Sequence, residues 1–241
     1  MSGHSKWSQI KRQKAVSDQR RGNIFTKLAN TISVVTRQGG KDPSMNFRLR
    51  MAIDKAKESN MPNENIERAI ARGAGEIEGV TIEEVAYEAF GPHGTALIID
   101  VTTDNKNRSA SEIRSILAKY NGTLGNVGSV GYMFARKGVI RVPKNGISDK
   151  DEFTLKIIDA GADDIVEEEE GFSIYAQPAD LQKVTQAIEQ AGLSPASTGL
   201  EMVPTNKVTL PNESAKEQIA KLLEELEACD DVSDFFTNAE L

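Results

Sequence analysis

Apolar residues in the first third of the chain recur at the three- and four-residue spacing of amphipathic helices. Three such stripes lie within residues 24–35, 49–56 and 66–70. They are separated by Gly39-Gly40 and by Met61-Pro62, residue pairs that end helices. The spacing predicts a small three-helix domain with short connections over residues 23–78.

The pattern changes to strands after Gly79. Val85–Phe90 and Thr95–Val101 are predicted strands around a Gly-Pro-His-Gly turn. Ile113, Ile116, Leu117 and Tyr120 then predict an amphipathic helix. Glycines at every third position from 122 to 131 indicate a loop, and we interpret Gly131-Tyr132-Met133-Phe134 after it as a buried strand.

The next segment has the element order β-α-β-β-α-β of a ferredoxin-like unit. Its predicted elements are strand 139–142, helix 150–160, strands 164–168 and 171–176, helix 179–191 and strand 196–203. A short strand at Val208–Leu210 and a helix opening at Pro211-Asn212 follow this complete unit. We therefore assign them back to the preceding α/β segment, which otherwise lacks its second helix.

These elements predict an α+β fold of three domains. The chain would begin with a flexible basic arm, because its first 22 residues contain too few apolar side chains to offset the entropy of ordering. One α/β domain would be inserted in the other. The predicted boundaries are 1–22 for the arm, 23–78 for the helical domain, 79–136 with 205–241 for a discontinuous α/β domain, and 137–204 for the ferredoxin-like domain.

Charge divides along the chain in the same way. Residues 1–72 carry 15 Lys and Arg against 6 Asp and Glu, a net charge of +9, whereas the whole chain has a net charge of −7. The remaining residues therefore carry −16. A basic first third on an acidic body predicts that a polyanion binds at one end.

Several other classes of function find no support in the residues. One cysteine, Cys229, and two histidines far apart, His4 and His93, cannot form a zinc site, and they predict a protein without disulfides in a reducing cytoplasm. No apolar stretch approaches the length of a membrane span. Phosphate-binding, dinucleotide-binding and nucleophile-elbow motifs are absent from the sequence, so we expect no catalytic residues, no cofactor and no metal.

The basic arm and the first helices are the leading candidates for nucleic-acid contact. Lysine and arginine gain affinity there by displacing condensed counterions, and a tryptophan among them is placed to stack on an exposed base. The alternative is a solubilising tail whose tryptophan packs on a helix. The candidates are Lys6, Trp7, Lys11, Arg12, Lys14, Arg20, Arg21 and Lys27, with Arg48 and Arg50, for which a solvated helix face is an equal alternative.

A second candidate site is Thr103-Asp104-Asn105-Lys106-Asn107-Arg108, which follows a strand and opens a helix. Free N–H groups at a helix start favour an anion, and Asn105, Asn107 and Arg108 would add donors. The plainer function is helix capping by Asp104 or Asn105.

Several motifs of the chain resemble those of the YebC-type family. The resemblance begins at Gly3-His4-Ser5-Lys6-Trp7 and continues through Gly39-Gly40-Lys41-Asp42-Pro43, Tyr87-Glu88, Thr103–Arg108 and Gly128-Ser129-Val130, in family order. Ala89 departs from the glycine that the family commonly has there.

The resemblance implies three domains around a cleft and no enzymatic activity. It also implies two competing roles. One is a DNA-binding transcriptional regulator. The other is a ribosome-associated translation factor that binds ribosomal and transfer RNA and relieves stalling at proline-rich stretches, because the mitochondrial relative activates translation of cytochrome c oxidase.

The residues and the resemblance together favour a non-enzymatic, cytoplasmic regulator of gene expression that binds nucleic acid. The expected partner is duplex DNA, with ribosomal RNA on the ribosome as the alternative. A third possibility is a basic protein or peptide bound at an acidic cleft.

Overall fold

The computed structural model describes residues 18–147 and 149–241, and it confirms the α+β fold class. The chain forms two compact units. The first unit joins the chain up to Phe134 with Pro204–Leu241, and the second is Ala135–Val203.

Three helices open the described part of the chain, and pairs of strands separated by single helices follow. The α-helices are α1 (Asp18–Gly39), α2 (Phe47–Glu58), α3 (Asn63–Gly73), α4 (Lys106–Lys119), α5 (Lys150–Asp159), α6 (Leu181–Gln190) and α7 (Glu213–Ala228). The strands are β1 (Glu83–Phe90), β2 (Ala96–Thr103), β3 (Thr123–Leu124), β4 (Phe134–Pro143), β5 (Ala162–Glu167), β6 (Gly171–Ala176), β7 (Ser197–Pro204), β8 (Val208–Thr209), β9 (Val232–Thr237) and β10 (Ala239–Glu240). In these ranges no helix is long and apolar enough to cross a membrane.

The three predicted N-terminal helices are α1, α2 and α3, and their apolar stripes form one core. Leu28, Ile32, Leu49, Ala56 and Ile66 are buried in it. Asn46 links two of these helices, because its side chain caps α2 at Leu49 N (3.1 Å) and donates to Val35 O of α1 (2.9 Å). The polar Asn46 is therefore buried without an unmet hydrogen bond.

Helix α1 begins inside the segment that the sequence predicts as a basic arm. Residues 18–22, which we assigned to the arm, form the first turn of α1. A helix whose later turns are held by tertiary packing extends readily through good helix formers such as Gln19, Arg20 and Arg21. The rest of the predicted arm, residues 1–17, lies outside the described residues.

A four-stranded sheet in the order β3-β1-β2-β9 forms the α/β part of the first unit. Strands β1 and β2 are antiparallel, with Tyr87 opposite Ile99, and β9 pairs antiparallel with β2. Helices α4 and α7 contribute to the core of this sheet through Ile113, Leu117 and Ile219. The chain therefore returns to this sheet after the second unit.

Two sequence interpretations in this unit are incorrect. Strand β9 is missing from the sequence prediction, because Asp234 and the adjacent phenylalanines obscure its alternation of apolar and polar residues. Its pairing with β2 determines it instead. Gly131–Met133 forms a 3₁₀ turn rather than a buried strand, and Tyr132 is 72% exposed. Strand β4 begins only at Phe134 and includes the strand predicted over 139–142.

The second unit contains a sheet in the order β5-β6-β4-β7, with α5 and α6 in the connections. The chain order is β-α-β-β-α-β, as the sequence predicts. Gly138 lies against α6, since a Cβ at this position would come within 2.8 Å of Leu181. Arg141, almost fully buried, forms two bonds to Glu201 (2.5 and 2.9 Å), so its charge is compensated within the sheet.

Candidate nucleic-acid interface

Most residues predicted for the basic arm lie beyond the part of the chain that the structure describes. Lys6, Trp7, Lys11, Arg12 and Lys14 are in residues 1–17. Arg20 and Arg21 belong to the first turns of α1, and the structure describes their backbone but not their side chains. Their part in nucleic-acid binding therefore stays a prediction.

Lys27 forms a hydrogen bond between two helices of the first unit. Its Nζ donates to the backbone oxygen of Glu227, 2.5 Å away, in the last turn of α7. A cation is favourable there, because the carbonyl groups at a helix C-terminus carry partial negative charge. Burial lowers the pKa of Lys27, an effect that nearby Cys229 and Asp230 oppose. The ammonium group thus joins α1 to α7 within the first unit.

Arg48 and Arg50 flank α2 on different sides of its buried stripe. Arg48 donates to Gln38 (2.6 Å) and pairs with Glu84 of β1 (3.2 Å). Arg50 instead lies 4.9 Å from the ring centroid of Phe47, a cation–π contact that leaves its donors available. The structure therefore separates the two arginines that the sequence treated together.

Three cations on α2 have no carboxylate partner among the described residues. They are Arg50, Lys55 and Lys57, and both lysines are exposed. Arg50 and Lys57 are seven positions apart, two turns of helix, and so lie on the same side of α2. Together with Lys55 they form a surface that is positive on balance, since the exposed Asp54, which lies between Arg50 and Lys57 on the same side, offsets one of the three charges.

The loop at the start of α4 is held by its own side chains. Asn105 caps the helix, accepting from the N–H groups of Asn107 and Arg108 at 3.1 Å each, as the sequence predicts. Arg108 pairs with Asp104 (2.7 Å) and Asp231 (3.1 Å). Hydrogen bonds to these carboxylates raise the pKa of Arg108.

This geometry leaves the second candidate site with few free hydrogen-bond donors and little net positive charge for an anion. Two N–H groups at the helix start are occupied by Asn105, and the cation is balanced by two carboxylates. Asp231 also accepts from Ser109 Oγ (2.6 Å) and Thr103 Oγ1 (3.0 Å), so it anchors the loop to the segment before β9. Anion binding here stays a prediction.

A cavity of about 560 Å³ in the first unit holds two arginines that the sequence analysis did not select. Arg37 and Arg72 line it together with Ser33 and one carboxylate, Glu78. Arg72 donates to Ser33 Oγ (2.9 Å) and Asn30 Oδ1 (3.1 Å) but to no carboxylate in the described ranges, and burial lowers its pKa. A half-buried guanidinium without a counter-charge favours an anion beside it.

The sequence signal for this pair was weak. Arg37 and Arg72 are 35 positions apart on two helices, and they meet only because α1 and α3 pack together.

A further carboxylate holds the glycine-rich loop before β4. Glu88 on β1 accepts from the N–H groups of Gly128 (2.7 Å), Val130 (2.6 Å) and Gly131 (2.7 Å). Burial opposes ionisation of Glu88, but these backbone hydrogen bonds outweigh it and lower its pKa. The sequence placed Glu88 in a motif without indicating this contact.

Comparison with known proteins identifies two family models that together span almost the whole chain. The model described as "TACO1/YebC protein N-terminal domain" matches residues 5–76. The model described as "TACO1/YebC second and third domain" matches residues 82–239. The first match includes both the basic N-terminal segment and the three helices.

Full-length relatives are similar throughout. A protein of Pelotomaculum thermopropionicum named "Probable transcriptional regulatory protein" is 49% identical over 100% of this chain and 99% of its own. A protein of Halothermothrix orenii with the same name is 46% identical over 100% of this chain and 96% of its own. The crystal structure of a conserved hypothetical protein from Aquifex aeolicus has a TM-score of 0.85 and 43% identity, covering 94% of this chain and 93% of that one.

Proposed function

The chain belongs to the TACO1/YebC family, and from that premise we propose that it regulates gene expression, without catalysis, by binding duplex DNA. Relatives similar over the whole chain carry the name "Probable transcriptional regulatory protein", which supports a regulatory role. The finer proposal concerns the ligand and the surface that binds it.

The charge distribution carries the proposal. The basic residues are concentrated in the first 72 positions, whose net charge is +9 in a chain of net charge −7. Within the described part of that segment, Arg50, Lys55, Lys57 and Arg72 have no carboxylate partner. Cations that no internal carboxylate neutralises are available to replace the counterions of a phosphate backbone.

The rest of the chain would restrict where DNA binds. Its net charge of −16 repels a polyanion, so most phosphate contacts would be made by the N-terminal segment and the helical surface beside it. In this proposal Lys6, Lys11, Arg12 and Lys14 supply about four of the phosphate contacts, and the surface formed by Arg50, Lys55 and Lys57 adds about one more.

The salt dependence of duplex binding tests this mechanism. About five phosphate contacts give a slope of log K against log salt near −4 to −5. We expect replacement of Lys6, Lys11, Arg12 and Lys14 by alanine to flatten the slope to about −1 and to weaken binding at low salt. The matched control replaces four basic residues of the acidic body, Lys156, Lys183, Lys216 and Lys221, and should keep the wild-type slope.

Purified ribosomes are added as a competitor in the same assay. A wild-type slope flatter than about −2, or equal slopes for the two quadruple variants, would contradict the proposal. Displacement of the protein from DNA by stoichiometric ribosomes at physiological salt would assign the basic segment to ribosomal RNA instead.

A further inference from the structure

Tyr132 is an exposed aromatic side chain between two buried residues. Its ring is 72% exposed, whereas Val130 and Phe134, two positions to either side, are 0% and 7% exposed. The backbone around Tyr132 is therefore anchored in the core while its ring is directed outward. Leaving a large amphipathic ring in water forgoes the stabilisation that burial would provide.

The backbone that carries Tyr132 is fixed from both sides. Glu88 accepts from the N–H groups of Val130 (2.6 Å) and Gly131 (2.7 Å), directly before the ring. Directly after it, the carbonyl oxygen of Met133 accepts from both the N–H (2.9 Å) and Oγ1 (3.0 Å) of Thr205. A rigid aromatic loses little conformational entropy on binding a ligand.

A cavity of about 290 Å³ adjoins the ring. Tyr132 and Met133 form one part of its lining, and Asn206 and Asn238 supply amide groups. The Oδ1 of Asn238 accepts from Ala96 N (2.7 Å), which leaves its NH₂ group as a donor, and the Thr205 hydroxyl donates to Met133 O. Among the residues that the structure describes, those lining it are uncharged, and the exposed Lys207 follows Asn206 in the chain. Its volume is at the lower limit of small-molecule sites, so it suits a group the size of a base.

We propose that Tyr132 and this cavity bind one unpaired nucleobase, with the tyrosine ring stacked on the base and the amides of the cavity facing its polar edge. This inference rests on the proposed function and deepens it. Stacking on an aromatic ring requires a base that is out of the helix, and amide groups are suited to the hydrogen-bonding edges of bases. Lys207, between the lining residues Asn206 and Val208, supplies a cation for the phosphate next to the bound base.

A duplex with a single bulged base tests the site. Affinity is measured for matched fully paired and bulged duplexes, as DNA and as RNA, at physiological salt. We expect the wild-type protein to bind the bulged duplex about tenfold more tightly, since only an unpaired base can stack on the tyrosine ring. Tyr132→Ala should abolish this preference without weakening binding to the paired duplex.

Two further variants make the test specific. Tyr132→Phe keeps the ring and should keep the preference, whereas Tyr132→Ala lacks it. The control is Val127→Ala, which removes a 96% exposed aliphatic side chain from the same loop and should behave as wild type. Thermal unfolding of all variants establishes that they are folded, and the DNA and RNA arms show which nucleic acid supplies the base.

The outcomes separate the two proposals. Equal wild-type affinity for paired and bulged duplexes, or a preference that survives Tyr132→Ala, would overturn the base site and leave the proposed function standing. Failure of the wild-type protein to bind any of the duplexes would overturn the proposed function and, with it, the base site.

Discussion

Single side chains hold the two loops that surround the candidate sites. Asp231 fixes the start of α4 through Thr103, Arg108 and Ser109. Glu88 fixes the glycine-rich loop through three backbone N–H groups. Each carboxylate comes from a different element than the loop it holds, so neither role can be deduced from local sequence spacing.

Glu88→Gln tests the role of this carboxylate. The amide has a single acceptor oxygen and brings an NH₂ group toward N–H donors, so at least one donor loses its acceptor. We expect the free energy of unfolding at pH 7 to fall by about 1–3 kcal/mol in urea denaturation followed by circular dichroism. Glu84→Gln, on the same strand but in an exposed ion pair with Arg48, should cost less than about 1 kcal/mol.

The contribution of Glu88 to the free energy of unfolding should decrease as the pH falls. The pKa of Glu88 is lowered in the folded protein, so its contribution to stability is full above the ordinary value of 4.5 and declines as pH falls through the folded pKa. The difference between wild type and Glu88→Gln should therefore shrink in acid. A difference that stays constant from pH 7 to pH 3 would refute this account.

At the scale of elements, the long helices with regular apolar stripes are where sequence and structure agree best. Helices α2, α3 and α7 lie close to their predicted ranges, because their buried residues recur at helical spacing and their ends carry clear stop or cap residues. The sequence pattern does not show strand β9, because pairing with β2 determines it. It predicts a strand where the turn before β4 lies, because hydrogen bonds to Glu88 determine that turn.

The cap of α4 gives a prediction at this scale. Asn105→Ala removes the acceptor for the N–H groups of Asn107 and Arg108 and should lower the free energy of unfolding by about 1 kcal/mol. Asn105→Ser, which keeps a capping oxygen, should recover most of this loss. Asn107→Ala, one position inside the helix, is the control, since Asn107 contributes only its backbone to the cap. Equal losses for the two alanine variants would argue against capping.

At the scale of the whole molecule, one compact unit is inserted in another. The chain leaves the first unit after Phe134 and returns to it at Pro204. Thr205 N and Met133 O, on the two sides of the junction, are hydrogen-bonded at 2.9 Å, so the ends of the insertion are close together. Proximal ends are what allow an inserted unit to be removed without disrupting its host.

Excision provides the corresponding prediction. Residues 135–203 expressed alone should unfold cooperatively in urea, because their sheet and both helices are internal to the unit. The complementary protein, with Phe134 joined to Pro204 by a short Gly-Ser linker, should also fold and keep the affinity of the full chain for duplex DNA. A non-cooperative transition in the excised unit would show that its core depends on the rest of the chain.

The sequence by itself determined the helices, the order of most strands, the α+β class and the concentration of positive charge in the first 72 residues. These properties depend on local periodicity and composition, which a chain displays before it folds. The tertiary structure decided which cations are left without partners. It joined Lys27 to α7 by a hydrogen bond and Arg48 to β1 by an ion pair. It also brought Arg37 and Arg72 to one cavity. It also left Tyr132 exposed beside a second cavity. Such arrangements depend on contacts between residues far apart in the chain, and those contacts exist only once helices and strands have packed.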